Sequence, residues 1–156
     1  MVELRVRGVS VEGPDDSPLV ILEDPRNDLR LSVPVGPFEA SAIIMELEGI
    51  NPPRPLTHDL LASFFREGGF SLDRVELFGE SPDCPRARLA YRRGFKRLGR
   101  EVRPSDAIAL AVRLDAPLIA AAELLKPGRC IDAAPRFLGN RRILSLDDWK
   151  SRTIRP

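Results

Sequence analysis

The stretch Arg103-Pro-Ser-Asp-Ala-Ile-Ala-Leu-Ala-Val-Arg-Leu-Asp-Ala116 decides the fold, because an earlier stretch has the same design. That earlier stretch is Gly36-Pro-Phe-Glu-Ala-Ser-Ala-Ile-Ile-Met-Glu-Leu-Glu-Gly49. With an offset of 67 positions, Pro37 falls on Pro104, Glu39 on Asp106, Ala40 on Ala107, Ala42 on Ala109 and Leu47 on Leu114. Each reads as a helix with proline at its first position, where the missing N–H costs nothing. A carboxylate in the first turn of each suits the positive end of the helix dipole.

Working outward, both helices follow strand-like segments. Residues 2–12 alternate polar and apolar with a kink or bulge expected at Gly8. Leu19–Leu22 is a short apolar run, and Leu29–Val35 alternates again, so a three-stranded meander precedes the helix from Pro37 to about Glu48. The rigid connector Asn51-Pro-Pro-Arg-Pro55 leads to Thr57, read as the N-cap of a helix over Asp59–Arg66. The apolar residues of that helix, Leu60, Leu61, Phe64 and Phe65, fall on one face. Strands are then expected at 73–78, 86–92 and 98–102, followed by the Pro104–Leu114 helix, a short strand at Pro117–Ala121 and a short helix through Leu125. The expected fold is α+β, a duplicated β-β-β-α unit whose mixed or antiparallel sheets pack on central helices. Residues 1–126 form the domain, and 127–156 read as an irregular C-terminal extension anchored by Ile131, Phe137, Leu144 and Trp149.

Length, at 156 residues, suffices for one domain with its own core. A net charge of +1 gives the whole molecule no strong pull on nucleic acid or membrane, so any such pull must be local. Cys84 and Cys130 have no metal-ligand spacing and read as thiols of a reducing cytosol. The amino terminus lacks a signal-peptide core, and no apolar run reaches membrane-spanning length, so a cytoplasmic protein without membrane contact is expected.

Three features could carry chemistry. Glu39 and Asp106, if a pseudo-two-fold brings them face to face, could hold a divalent cation between carboxylate oxygens. His58, the only histidine, stands next to Asp59 at a helix start framed by prolines, where it could act as a general base or, beside Asp59, as a metal ligand. The alternative is that Thr57, His58 and Asp59 simply build the helix start. The third feature is basic: Arg86, Arg88, Arg92, Arg93, Lys96, Arg97, Arg100 and Arg103 fall within a span whose one acid is Glu101. Residues 1–60, by contrast, hold eleven acids and five arginines. Alternation puts Arg88 and Arg92 on one side of a strand, and Tyr91 and Arg93 on the other. Arginine's planar fork suits phosphate, although a solvated face explains a charge run equally well.

Together Gly36-Pro-Phe-Glu-Ala40, Arg54-Pro-Leu-Thr-His-Asp-Leu-Leu61 and Arg103-Pro-Ser-Asp-Ala-Ile-Ala-Leu-Ala111 resemble the bifunctional nuclease (DNase/RNase) domain family in order and separation. The resemblance covers residues 1–126. It implies a self-associating α+β domain, a homodimer or larger homo-oligomer, that cuts DNA, RNA or both. The matching positions are Glu39, Arg54, Thr57, His58, Asp59, Arg103, Ser105 and Asp106. The segment Gly79-Glu-Ser-Pro-Asp-Cys-Pro-Arg86 departs from the family pattern in its prolines and lack of aromatics. Residues 92–100 are also richer in arginine.

On this reading Glu39, His58, Asp59 and Asp106 are the candidate catalytic residues. Arg54, Arg88, Arg92, Arg93, Arg97 and Arg103 would bind nucleic acid. Glu39 and Asp106 would hold Mg2+ or Mn2+ if cleavage is metal-dependent, and no organic cofactor is expected. The competing expectation is a non-catalytic oligomeric nucleic-acid-binding or regulatory module in which these acids and arginines form structural ion pairs, such as Asp106 with Arg54.

Overall fold

A computed structural model of the chain describes residues 1–12, 17–127 and 142–143. Most of the expected C-terminal extension, with Cys130 and its four apolar anchors, lies outside the described residues. The elements run β1 (Val2–Glu12), β2 (Ser17–Glu23), β3 (Leu29–Pro34), α1 (Pro37–Leu47), α2 (Thr57–Glu67), β4 (Phe70–Phe78), β5 (Arg86–Arg93), β6 (Lys96–Val102), α3 (Pro104–Leu114) and β7 (Leu118–Ala120). A 3-10 turn at Ala122–Leu124 and the two-residue strands β8 (Lys126–Pro127) and β9 (Arg142–Ile143) follow.

The fold is α+β. One sheet runs in the order β6-β5-β4-β7-β1-β2-β3-β8, with β9 pairing beside β1. Two antiparallel meanders, β1-β2-β3 and β4-β5-β6, lie on either side of β7, which pairs antiparallel with β1 and parallel with β4. The order β-β-β-α therefore occurs twice, and α1 moved along the chain by 67 positions coincides with α3 at both ends. The register slips between Val6 and Gly8, at the bulge expected from Gly8, and again between Leu72 and Arg74.

The three α-helices among the described residues lie on the face of the sheet that buries Val20, Leu22, Val33, Val75, Leu77 and Leu89. Fully burying a side chain of this size stabilises the fold by about 1.5–3 kcal/mol. α3 is central, packed against α1, α2 and strands of both meanders. Its run Ala107-Ile-Ala-Leu-Ala111 is buried throughout, and the alanines let its neighbours approach closely.

α2 differs from expectation on two points. It starts at Thr57, so Thr57 is not the cap; Leu56 is, and its N–H donates to Asp59 Oδ2 at 2.8 Å. Its apolar stripe also faces mainly outward, with Leu60, Leu61 and Phe64 exposed while Ala62 is buried. Phe65 alone of the four turns to the sheet, where it meets Phe70 and Tyr91 at centroid distances of 5.7 Å. Apolar periodicity reports an amphipathic helix, but not which surface covers the stripe.

Candidate functional site at three helix starts

Each helix has an acid as its third residue: Glu39 in α1, Asp59 in α2 and Asp106 in α3. Proline opens α1 and α3, and neither has a side-chain cap, so Glu39 and Asp106 are released to reach elsewhere. Both reach Arg103. Its Nε donates to Asp106 Oδ2 at 2.8 Å, and its Nη2 lies 3.0 Å from Asp106 Oδ1 and 3.1 Å from Glu39 Oε1. His58 joins from α2, its Nε2 being 3.3 Å from Asp106 Oδ1. The chain Glu39–Arg103–Asp106–His58 thus links the starts of all three helices.

The cluster is asymmetric in exposure. The side chains of His58 and Glu39 are 14% and 17% exposed, whereas that of Arg103 is 68% exposed. Burial pushes the Asp106 carboxyl up. The hydrogen bonds from Arg103 and His58, with their charges, outweigh it and hold Asp106 below the usual carboxylate range. Reciprocally, the hydrogen bonds and charge of Asp106 hold the Arg103 guanidinium above its ordinary value. Gly36 matters sterically here, because a Cβ at that position would run into the Glu39 carboxylate.

Asp59 is not in this chain. Its Oδ1 accepts from Arg113 Nε at 2.6 Å, and its Oδ2 caps Leu56. Arg113 is buried in α3, and its Nη1 and Nη2 donate to the carbonyls of Ala109 and Ala42 at 3.0 Å each. One guanidinium therefore pins α1, α2 and α3 together. Burial raises the Asp59 pKa, but the Arg113 and Leu56 hydrogen bonds and nearby positive charge bring it below the ordinary value. The expected His58–Asp59 partnership is replaced by His58–Asp106, and the expected Asp106–Arg54 pair by Asp106–Arg103. Arg54 is exposed in the proline connector with no ion-pair partner among the described residues. Sequence reading passed over Arg113, because a basic residue in a last helical turn ordinarily complements the dipole.

Glu39 and Asp106 do converge, but on a guanidinium. A Mg2+ or Mn2+ ion between them would have to displace Arg103, and no group of three His, Cys, Asp or Glu able to hold a metal occurs among the described residues. The donor set as arranged does not fit a divalent cation.

The remaining candidate arginines divide between the two faces of the sheet. Arg88, Arg92 and Arg97 lie on the face turned away from the helices, where Arg88 pairs in register with Glu76 and Glu101, and Arg92 with Arg97. They border a shallow depression of about 540 Å³ floored by Ala90 and Gly99. Arg93, on the other side, stacks over Phe70 at 5.3 Å. Arg103 thus makes its contacts at the helix starts, whereas Arg88, Arg92 and Arg97 line the outer face of the sheet.

A sequence model of the bifunctional nuclease domain matches residues 20–131, and the chain belongs to that family. It is also 37% identical over 118 residues to an uncharacterised protein of Mycobacterium tuberculosis strain CDC 1551 / Oshkosh, covering 76% of this chain and 70% of the relative. A counterpart in strain ATCC 25618 / H37Rv matches to the same extent. No helix among the described residues is long and apolar enough to cross a membrane.

Proposed function

We propose that the chain is a nuclease that cleaves phosphodiester bonds in DNA or RNA at the Glu39–Arg103–Asp106–His58 cluster. One observation carries this reading: a solvent-facing guanidinium and the only histidine of the chain share one carboxylate, Asp106. Arg103 offers its exposed edge to the phosphate oxygens and stabilises the charge that builds on them. With its proton on Nε2 directed to Asp106, His58 has a lone pair on Nδ1 to accept a proton from the attacking water. The new P–O bond forms as the bond to the leaving oxygen breaks, and that oxygen takes a proton from the imidazolium. Glu39 holds Arg103 in place, and Asp59 is assigned to structure. Mg2+ or Mn2+ would enter only by displacing Arg103, and no step is assigned to it.

The test is cleavage of labelled single- and double-stranded substrates by purified protein and its His58→Gln variant. General acid–base catalysis is worth about 10²–10⁴-fold, so a loss of at least about 100-fold with unchanged thermal unfolding is expected. Wild-type rates in His58→Gln sink the assignment and point to a contaminating nuclease.

A second reading, an oligomeric binding or regulatory module without catalysis, is favoured by the way every helix-start acid is held by an arginine. Self-association is part of both readings, supported by exposed Leu60, Leu61 and Phe64 on α2. Absence of any cleavage that the His58 substitution removes would leave this second reading in possession.

A further inference from the structure

The tip of the β5–β6 hairpin combines two features that the helix-start cluster does not use. Arg93 pairs with Lys96 across a two-residue loop, Gly94-Phe95, in which Gly94 takes φ +57°. A glycine in the first loop position is what such a tight hairpin turn requires, but nothing in the turn requires an aromatic in the second. Phe95 is nonetheless there, with its side chain fully exposed. Around it stand Arg92, Arg93, Lys96 and Arg97, all exposed. Among the described residues, the one carboxylate paired with this group is Asp73, 3.3 Å from Arg92. Neither Lys96 nor Arg97 has an ion-pair partner among the described residues.

From the tip a cationic row continues along the sheet face turned away from the helices. Arg88 and Arg92 are four residues apart on β5, about 13 Å at the rise of a strand. Arg97 faces Arg92 from β6, and the trough between Arg88 and Arg92 is floored by Ala90 opposite Gly99. Arg74 and Arg86 on the same face are neutralised by Glu76 and Glu101, while Arg88 stacks on Phe78 and keeps its charge unpaired among the described residues. The result is a row of guanidinia, bordered by Asp73 and Glu76, that ends in an unpacked aromatic ring. Arg92 is shared with Asp73, while Arg88 and Arg97 have no ion-pair partner among the described residues.

We propose that the β5–β6 ribbon is a binding site for single-stranded nucleic acid. An unpaired base stacks on Phe95, and the adjoining phosphates lie on Arg92, Arg97 and Arg88. Bases offer a π-face whatever their sequence, and a basic groove lined by a stacking ring is the common chemistry of single-strand binding. A duplex keeps its bases stacked on one another and gains only the phosphate contacts. An anionic membrane could also attract a basic aromatic tip, but it would touch the tip alone and leave the strand-long row unused. The site stands apart from the helix-start cluster and does not depend on whether that cluster cleaves.

The test is fluorescence anisotropy with labelled DNA and RNA of about 20 nucleotides. It uses the full chain carrying His58→Gln, so that the probe is not consumed whichever way the cleavage question is decided. Phe95 packs against nothing, so Phe95→Ala leaves folding intact. It is expected to weaken single-strand binding at least about fivefold, the effect of losing one stacked base, and duplex binding less than about twofold. Arg97→Gln and Arg88→Gln should each weaken binding and flatten the dependence of log K on log salt by about 0.7 for a single strand. Phe95→Trp should restore affinity and change its fluorescence when the strand binds. Gly99→Glu sets an acid in the trough where a Cβ meets only ordinary contacts, and should also weaken binding without unfolding the chain. Unchanged affinity in Phe95→Ala overturns the proposal. So does binding to phosphatidylserine vesicles that depends on Phe95 while oligonucleotide binding does not.

Discussion

Asp59 and Asp106 occupy the same place in their helices and both bind arginine, yet the two pairs are built for different ends. Asp59 meets a guanidinium with 3% side-chain exposure, and Asp106 meets one with 68%. Arg113 donates to Asp59 and to two carbonyls from different helices, and at 3% side-chain exposure it offers a ligand no open edge. Arg103 spends its donors on two carboxylates at the surface and keeps an open edge. The difference teaches that what sets two acid–arginine pairs apart is the exposure of the arginine, not the acid: one guanidinium is closed in by the fold and the other stays open to solvent.

The sharpest way to break this comparison is to remove each arginine in turn. Arg113→Leu leaves Asp59 without its charge partner and removes the side-chain hydrogen bonds that tie the Ala42 and Ala109 carbonyls to it. Breaking a buried pair this way costs about 3–5 kcal/mol, with the low end expected because Asp59 keeps some exposure. Arg103→Gln should cost no more than about 1 kcal/mol, the range of surface pairs. Urea unfolding of the two variants checks both; equal losses would erase the distinction.

Acid sharpens it further. The pKa values of Asp59 and Asp106 are both depressed in the folded state below the ordinary value of 3.8. Each therefore contributes stability that is complete above that value and disappears as pH falls through the lower folded-state value. Unfolding curves taken downward from pH 5 should show stability falling below about pH 4. Asp59→Asn and Asp106→Asn should each flatten that decline. A decline unchanged in both variants would mean other carboxylates carry it.

The smallest effect concerns Gly36. An alanine there pushes aside the Glu39 carboxylate, the far end of a flexible side chain, so the fold should hold. Cleavage should fall by a few-fold at most about tenfold, as Arg103 loses one of its two anchors while Asp106 keeps its grip. A loss as large as that of His58→Gln would place Glu39 at the reacting centre.

Much of the architecture was legible in local pattern. Alternation and turn residues mark both meanders, and the Pro-x-acid openings set α1 and α3 at their observed bounds. The bulge at Gly8 was legible too. The parallel pairing of β7 with β4 was not, since a three-residue strand carries no signal of its neighbours. Nor was the outward stripe of α2. Glu39, His58, Asp59, Arg103 and Asp106 were named individually from the sequence, but which of them meet was not legible: His58 and Asp106 are 48 residues apart, and Asp59 and Arg113 are 54 apart. Adjacency in the chain favoured His58 with Asp59, but consecutive residues on a helix do not face one another, and Asp59 turns to α3 while His58 turns to its first turn.

One measurement bears most directly on the division of labour between the two acids. Asp106→Asn and Asp59→Asn are compared in single-turnover cleavage of a labelled oligonucleotide, well below both unfolding temperatures. The account predicts that Asp106→Asn loses at least about 100-fold, because His58 and Arg103 lose their shared carboxylate, while Asp59→Asn stays within about threefold of the wild type. Equal losses, or a larger loss in Asp59→Asn, would contradict it.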